Sequence, residues 1–316
     1  MTRFAQFLRE SSYGTAIAGT KRKFNFSGHS VNPNVNVIID EGAGSPDPLN
    51  AQLGPFNATG SIDTWLYPNV VSSLVCSGIN KATNSTTTGS SAPYTHTISP
   101  GTEIDSFSLE LGYDAVGTRN LVGCCVNNIT IDGVKRERVG VSMDIIGSKE
   151  PGTGTTLAAA QTGVLAPPVA PFVFQESSIS YAGSAKTDIE SLSVSISNNL
   201  PDDKFALGDR YLSDIRSNVG KREITLTADI RFEAATDYNK YIGGTKFAVV
   251  MDNARGSSYE FKIDAKECIY TGFPTNVSGR DRFLPSAEMR ALYNTSASKA
   301  LEITVKNDES QTVWRS

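Results

Sequence analysis

Two histidines, His29 and His96, are the only imidazoles in the 316-residue chain. A Ser-His-Asp triad or a histidine-based metal site would need one of them beside suitable partners. His96 lies in the alternating segment Tyr94–Ile98, which predicts a position on a sheet face, and His29 lies in a turn flanked by glycine and serine. We therefore predict neither a triad nor a metal site.

The sequence also lacks the short motifs of common reaction types. It has neither a Gly-x-Ser-x-Gly turn for a nucleophilic serine nor a phosphate loop ending in Gly-Lys-Ser/Thr. The most conspicuous acidic pair, Asp202 and Asp203, lies in a long loop, where solvated charge is the ordinary explanation. A carboxylate pair for glycoside hydrolysis forms only in space, so a polysaccharide-degrading enzyme stays open as an alternative. We predict a protein that is not an enzyme and holds no metal or cofactor.

Composition and charge narrow the remaining classes. Apolar residues make up 39% of the chain, which is enough for a core, and charged residues only 20%. A formal net charge of −4 without a dominant basic stretch argues against tight phosphate binding. We expect no signal peptide and no membrane span, since no segment approaches the roughly 20 apolar residues required. Cys76, Cys124, Cys125 and Cys268 predict buried free thiols, with a Cys124–Cys268 disulfide left open.

Apolar and polar residues alternate along much of the chain, which is the pattern of half-buried β-strands. The clearest cases are Ser191–Ser197 and Arg222–Phe232. Their polar faces carry small hydroxyl and amide groups with scattered carboxylates. Such a face is either an ordinary solvated exterior or the wall of a water-filled channel that must not bind a polyanion. The candidate channel-wall residues are Asn57, Thr59, Ser61, Asp63, Asn128, Thr130, Asp132, Ser191, Ser193, Ser195, Glu223, Thr225, Thr227 and Asp229.

Two long loops carry apolar residues that need a partner surface. They are Asp40–Gly54 and Asn198–Lys221, and the second is too long for a hairpin turn. We expect a neighbouring subunit to cover them, and we expect the second loop and the N-terminal arm, Met1–Lys23, to become ordered only on assembly. The candidate contact residues are Asp47, Leu49, Leu53, Phe205, Leu207, Tyr211, Leu212 and Ile215.

The chain contains an internal repeat. A shift of 166 positions places Phe56–Leu66 on Arg222–Phe232 with matched polar and apolar faces. Each stretch follows a long loop and precedes a short helix, predicted at Pro68–Cys76 and at Ala234–Ile242. Because the whole order of elements recurs, we predict a duplication.

A compositional break supports the same division. Glycine, threonine, alanine and proline dominate residues 148–171, as in a linker between domains. We therefore expect an N-terminal arm and first domain in residues 1–147, a linker in 148–171 and a second domain in 172–316.

Five segments occur along the chain in the order Glu10–Thr15, Gly54–Ile62, Pro93–Pro100, Gly123–Ile131 and Gly220–Thr227. None is a catalytic signature, but in this order they resemble the tail tube proteins of long-tailed, non-contractile bacteriophages, and the resemblance covers most of the chain. It implies a mainly β fold of two tandem sandwich or half-barrel domains, each with a short flanking helix. On oligomerisation these domains would close into a β-barrel ring.

The resemblance also implies a structural role in the virion. Rings would stack helically into a tail tube, with the candidate wall residues facing the lumen and the candidate loop residues reaching the adjacent ring. A duplicated subunit implies a trimer with pseudo-sixfold symmetry and a large single-domain subunit a hexamer, so the symmetry stays open. The implied partners are further copies, the tape-measure protein and then DNA in the lumen without sequence-specific binding, and the tail terminator and distal tail proteins. Assembly would occur in the host cytoplasm, without a membrane.

One further alternative stays open besides an enzyme. Another β-sandwich protein of the virion, such as a capsid decoration protein, a tail terminator or an adhesin, would share the alternation and the absence of catalytic motifs.

Overall fold

The computed structural model of the chain describes residues 3–17, 19–41, 47–113, 117–151, 163–165, 169–276 and 283–315. The chain is mainly β, as the alternation predicts, and the described residues contain nineteen strands and three short helices. The strands are β1 Arg3–Arg9, β2 Lys21–Phe24, β3 Gly28–His29, β4 Asn32–Asp40, β5 Asn50–Trp65, β6 Thr86–Thr88, β7 Tyr94–Ile98, β8 Phe107–Tyr113, β9 Thr118–Val134, β10 Gly140–Gly147, β11 Gly163–Leu165, β12 Ser177–Tyr181, β13 Ser184–Ala185, β14 Ile189–Ser197, β15 Glu223–Ile230, β16 Phe247–Arg255, β17 Tyr259–Gly272, β18 Ser286–Ala291 and β19 Leu301–Asn307. The helices are α1 Val70–Ser77, α2 Thr236–Ile242 and α3 Gln311–Arg315.

Eight strands form a central antiparallel sheet in the order β4–β5–β10–β9–β14–β15–β18–β17. The first four belong to the N-terminal half, residues 3–151, and the last four to the C-terminal half, residues 169–315. The halves meet where β9 pairs with β14, from Val134 opposite Ser191 to Asn128 opposite Ser197. The sheet therefore continues from one half to the other, and it does not close on itself within the single chain.

Strand β9 belongs to two sheets because it bends in its middle. Its first part pairs with β8, and a second sheet continues from β8 through β1 and β2 to β11. The bend lies at Gly123, whose φ of 66° falls in the left-handed region that glycine tolerates. A Cβ atom there would also lie 2.7 Å from the Cβ of Ser148.

The carboxylate of Glu10 ties the N-terminal arm to this bend. One oxygen accepts from the hydroxyl of Ser108 and from Gly123 N, each at 2.9 Å. The other accepts from the hydroxyl of Ser106 at 2.9 Å and from Gly14 N at 3.0 Å. The expectation that the arm orders only on assembly is wrong, because these bonds and the pairing of β1 with β8 form within one chain.

One large apolar cluster connects the two halves. All residues of helix α1 are buried, and its five apolar residues belong to this cluster. The helix ends at Gly78, where a Cβ atom would lie 2.8 Å from Val126 of β9, so glycine allows the close packing of helix on sheet. The short helices predicted at Pro68–Cys76 and at Ala234–Ile242 are confirmed as α1 and α2.

The C-terminus returns to the N-terminal half. Strand β19 pairs with β7, and the following helix α3 contacts α1. Trp314 of α3 is fully buried, and its ring stacks on His96 with centroids 4.1 Å apart. Nothing in the local sequence pattern indicated this return.

Residues 148–151, 163–165 and 169–171 of the predicted linker are described. Lys149 forms a β-bridge with Val122, and the carbonyls of Ala170 and Pro171 accept from Arg255. Gly163–Leu165 forms β11, which pairs in parallel with β2, whereas residues 152–162 and 166–168 lie outside the described residues. The boundaries of the two domains stay a prediction. The prediction of free thiols is confirmed, since all four cysteines are unpaired and buried.

Candidate functional site: a polar face shared by both halves

A continuous polar face runs across the central sheet. Strand register places one residue of each strand in a row, from Asp63 on β5 through Ser142 and Thr130 to Ser195 and Thr225. Neighbouring side chains in such a row are close enough to contact one another. The row crosses the junction of the two halves at Thr130 and Ser195 without interruption.

Period-two alternation produces this face. Between the polar residues, the same strands carry Ile62, Ile129, Val194 and Leu226, all of them buried in the core. The apolar side chains hold each strand to the core, so the polar side chains point away from it.

All fourteen candidate wall residues lie on this one face. They are half-buried or exposed: Asn57, Thr59, Ser61, Asp63, Asn128, Thr130, Asp132, Ser191, Ser193, Ser195, Glu223, Thr225, Thr227 and Asp229. Strand register adds four members from β10 and β18 to that set. These are Ser142, Asp144, Glu288 and Arg290.

Carboxylates dominate the charge of the face. It carries six acids and one guanidinium: Asp63, Asp132, Asp144, Glu223, Asp229, Glu288 and Arg290. The guanidinium of Arg290 donates to Glu223 at 2.6 Å, so this cation is already paired. Two serines donate to acids of the face, Ser142 to Asp63 at 2.6 Å and Ser191 to Asp229 at 2.5 Å. A surface dominated by carboxylates repels phosphate.

The long loop of the C-terminal half packs onto the N-terminal half. Leu212 and Ile215 are buried beside Ile146. The carbonyl of Leu212 accepts from the Ser148 hydroxyl at 2.6 Å, and Tyr211 meets Phe56 edge to face. The expectation that this loop orders only on assembly is therefore wrong.

The eight candidate loop residues consequently differ in exposure: two are buried, two are partly covered and four are exposed. Leu212 and Ile215 are 3% and 0% exposed, so these two side chains are unavailable to another ring without unfolding. Phe205 and Tyr211 are partly covered by the same packing, whereas Leu207 is fully exposed at the loop tip. The remaining three, Asp47, Leu49 and Leu53, are exposed on the loop between β4 and β5 and its flanking strand.

The residues with potential for chemistry lie apart from one another. His96 Nε2 is 3.1 Å from Asn307 Oδ1 and 2.9 Å from the carbonyl of Glu309, and burial lowers the pKa of this imidazole. His29 belongs to strand β3 rather than a turn, and burial lowers its pKa too. Within the described ranges, no three histidine, cysteine, aspartate or glutamate side chains converge as metal ligands. In the same ranges, no helix is long and apolar enough to cross a membrane.

Comparison with known proteins agrees with the geometry. The sequence model of a family described as "Phage tail tube protein" matches residues 3–294, nearly the whole chain. No curated protein matches it. Membership in this family implies a structural, non-enzymatic role in the virion tail through self-assembly into a stacked tube. The chain belongs to the phage tail tube protein family.

Proposed function

We propose that three copies of this chain form one ring of the tail tube, and that DNA passes through its lumen along the polar face. The observation that carries this proposal is the junction of β9 with β14, where one half of the chain already continues the sheet of the other. A chain that joins two equivalent units in this way can join further units by the same contact.

Two features support two tandem domains. The strand order β4–β5–β10–β9 of the N-terminal half recurs as β14–β15–β18–β17. A β-bulge also recurs, at Asn127 of β9 against β10 and at Thr271 of β17 against β18, 144 positions later. Bulges are specific local features, so a shared position is stronger support than alternation alone.

The same correspondence gives a register for ring closure. Strand β17 has an unpaired edge beyond Cys268 among the described residues, and β4 pairs there only with β5. In the proposed ring, β4 of one copy pairs with residues 272–276 of the next copy. This pairing has the same geometry as the pairing of β14 with β9 within one chain. Transfer of that register sets Asn34 opposite Gly272 and Asn32 opposite Pro274.

Closure in this way places the polar face of every copy on one continuous inner wall. Its six acids and hydroxyl groups keep the wall wet and prevent adhesion of the DNA backbone. The tape-measure protein would occupy the same lumen before DNA, and the tail terminator and distal tail proteins would bind the ends of the tube.

A pair of introduced cysteines tests the register. Asn32→Cys with Pro274→Cys introduces two cysteines that lie directly opposite each other on adjacent copies of the proposed ring. Their Cβ atoms would be about 4.5–5.5 Å apart. Both positions are exposed, and the native thiols are buried. After oxidation of assembled protein, denaturing electrophoresis without reductant should show a ladder that ends at three copies.

Two results would contradict the proposal. A ladder ending at six copies would exclude the trimer. Absence of rings and tubes in negative-stain micrographs at any concentration or salt would exclude self-assembly into a tube.

The lumen assignment has its own test. Asp132→Lys with Asp229→Lys reverses two charges on the proposed wall, and we expect tubes of this variant to retain DNA that wild-type tubes release. Asp308→Lys, an exposed reversal after β19 and away from the polar face, is the control. Equal DNA retention by both variants would remove the polar face from the DNA path.

A further inference from the structure

Strands β4 and β5 continue beyond the sheet as a two-stranded ribbon with an apolar face. Val37 lies opposite Leu53 and Ile39 opposite Ala51, so these four side chains share one side. Leu49 follows the same alternation and is 63% exposed. A two-stranded ribbon with an exposed apolar side is marginally stable alone and requires a covering surface.

An open groove of about 720 Å³ lies on the C-terminal half, with residues 100–102 of the N-terminal half at one side. Its lining contains the apolar side chains of Ile224, Leu292 and Tyr293, the last of which is 63% exposed. The charged side chains in the lining are all cations, namely Lys221, Arg222, Arg290 and Lys299. Arg290 is paired with Glu223 and Lys299 with Glu302. Lys221 and Arg222 therefore supply the positive charge that accompanies the apolar contact area of the groove.

The equivalent place in the N-terminal half is already filled. Phe56 corresponds to Arg222 of the groove by the 166-position shift of the internal repeat. Ile146 corresponds to Arg290 of the groove by the 144-position shift of the β-bulge. The loop between β14 and β15 covers both: Phe56 N donates to the carbonyl of Arg210 at 2.9 Å, and Ile146 packs in one cluster with Leu212. Thus the loop of one half covers the sheet of the half before it.

We infer that the β4–β5 ribbon of a neighbouring copy in the same ring occupies this groove. In the N-terminal half the ribbon lies at the connection of β4 to β5. In the C-terminal half the covering loop connects the corresponding strands, β14 and β15. Asp40 and Glu41 near its end complement Lys221 and Arg222 of the groove. The inference rests on the proposed ring, and it assigns the ribbon to a contact within a ring, whereas the resemblance implies a contact between rings.

Cross-linking between ribbon and groove tests this assignment. Leu49→Cys with Tyr293→Cys replaces two exposed side chains, so the fold is retained, and a short bismaleimide joins the thiols in assembled tubes. A contact within the ring produces a ladder that stops at three copies. A contact between rings links copies along the tube axis and produces a ladder without an upper limit.

The matched control carries Leu207→Cys with Tyr293→Cys, since Leu207 is also exposed but lies on the other loop. We expect no closed trimer from this pair. An unlimited ladder from the Leu49 pair, no ladder at all, or a closed trimer only from the Leu207 pair would overturn the inference.

A second measurement covers the case in which the cysteine variant does not assemble. Leu49→Ser with Leu53→Ser removes the apolar contact and leaves an exposed ribbon, so the free subunit should keep its thermal midpoint while the yield of sedimentable tubes falls at least tenfold. An unchanged yield would contradict the inference. If the Asn32–Pro274 pair still closes at three copies, the proposed ring stands and only the ribbon contact fails; if wild-type protein forms no tubes, both fail.

Discussion

Leu212→Ala, which truncates one buried residue of the loop between β14 and β15, tests whether this loop is folded in the free subunit or becomes ordered only on assembly. Leu212 is 3% exposed and packs with Ile146 and Ile215. Leucine-to-alanine changes in a core cost about 2–5 kcal/mol, and the cost is smaller where the site can collapse. This cluster is small and lies under a loop, so we expect about 2–3 kcal/mol.

Limited proteolysis of the unassembled subunit measures that loss. Trypsin can cut after Arg210 and Arg216, which flank Leu212. Both guanidinium groups are held in the closed loop, that of Arg210 by the carbonyl of Gly54 at 3.0 Å and that of Arg216 by Asp214 at 2.6 Å. Cleavage therefore follows the population of the open loop. Since each 1.4 kcal/mol is a factor of ten, the variant should be cut about 30–150 times faster than wild type.

Leu207→Ala is the matched control, because Leu207 lies on the same loop with its side chain in solvent. It should be cut at the wild-type rate. If wild type, Leu212→Ala and Leu207→Ala are all cut equally fast, the loop is open in the free subunit and its packing on the N-terminal half belongs to the assembled state alone.

Three further outcomes follow from the buried polar groups. Glu10→Ala leaves two backbone and two hydroxyl donors without their acceptor and should cost about 3–5 kcal/mol in thermal or urea unfolding, whereas the exposed Glu41→Ala should cost nothing measurable. Burial lowers the pKa of His96, so the unfolded chain binds the extra proton first and stability falls as pH drops below about 6.5; His96→Gln should show a shallower fall, and an identical pH profile would refute this. Burial raises the pKa of Cys76 and of Cys268 to about 12, so Ellman's reagent at pH 8 should label no native thiol until the chain unfolds.

Local alternation predicted the polar face well because strand periodicity is a property of neighbouring residues. Ser191–Ser197 and Glu223–Ile230 each carry the whole signal in a few positions. Glu288 was missed because its strand, Ser286–Ala291, has six residues and therefore a weak pattern. Its membership of the face depends on pairing with β15, which only the fold supplies.

The alternation of polar and apolar residues did not predict packing between segments that are far apart in the sequence. Apolar residues such as Leu212 and Ile215 indicated that the loop needs a covering surface, but a sequence does not say whose surface it is. The loop finds that surface on its own chain. In the same way, the burial of Trp314 on His96 depends on the pairing of β19 with β7, two segments about 200 positions apart.

Among the described residues the central sheet has two free edges, and these also bear on how such a subunit avoids uncontrolled association. Exposed strand edges are templates for aggregation, and proline weakens them because it has no N–H to donate. Pro33 lies on β4, and Pro274 follows β17 at the opposite end of the sheet. In the proposed ring these edges meet with fewer hydrogen bonds than β9 and β14 exchange. The apolar ribbon in its groove must then supply the remaining free energy, so only a neighbour that offers both the edge and the groove is joined. Selectivity of assembly and coverage of the ribbon thus depend on the same contact.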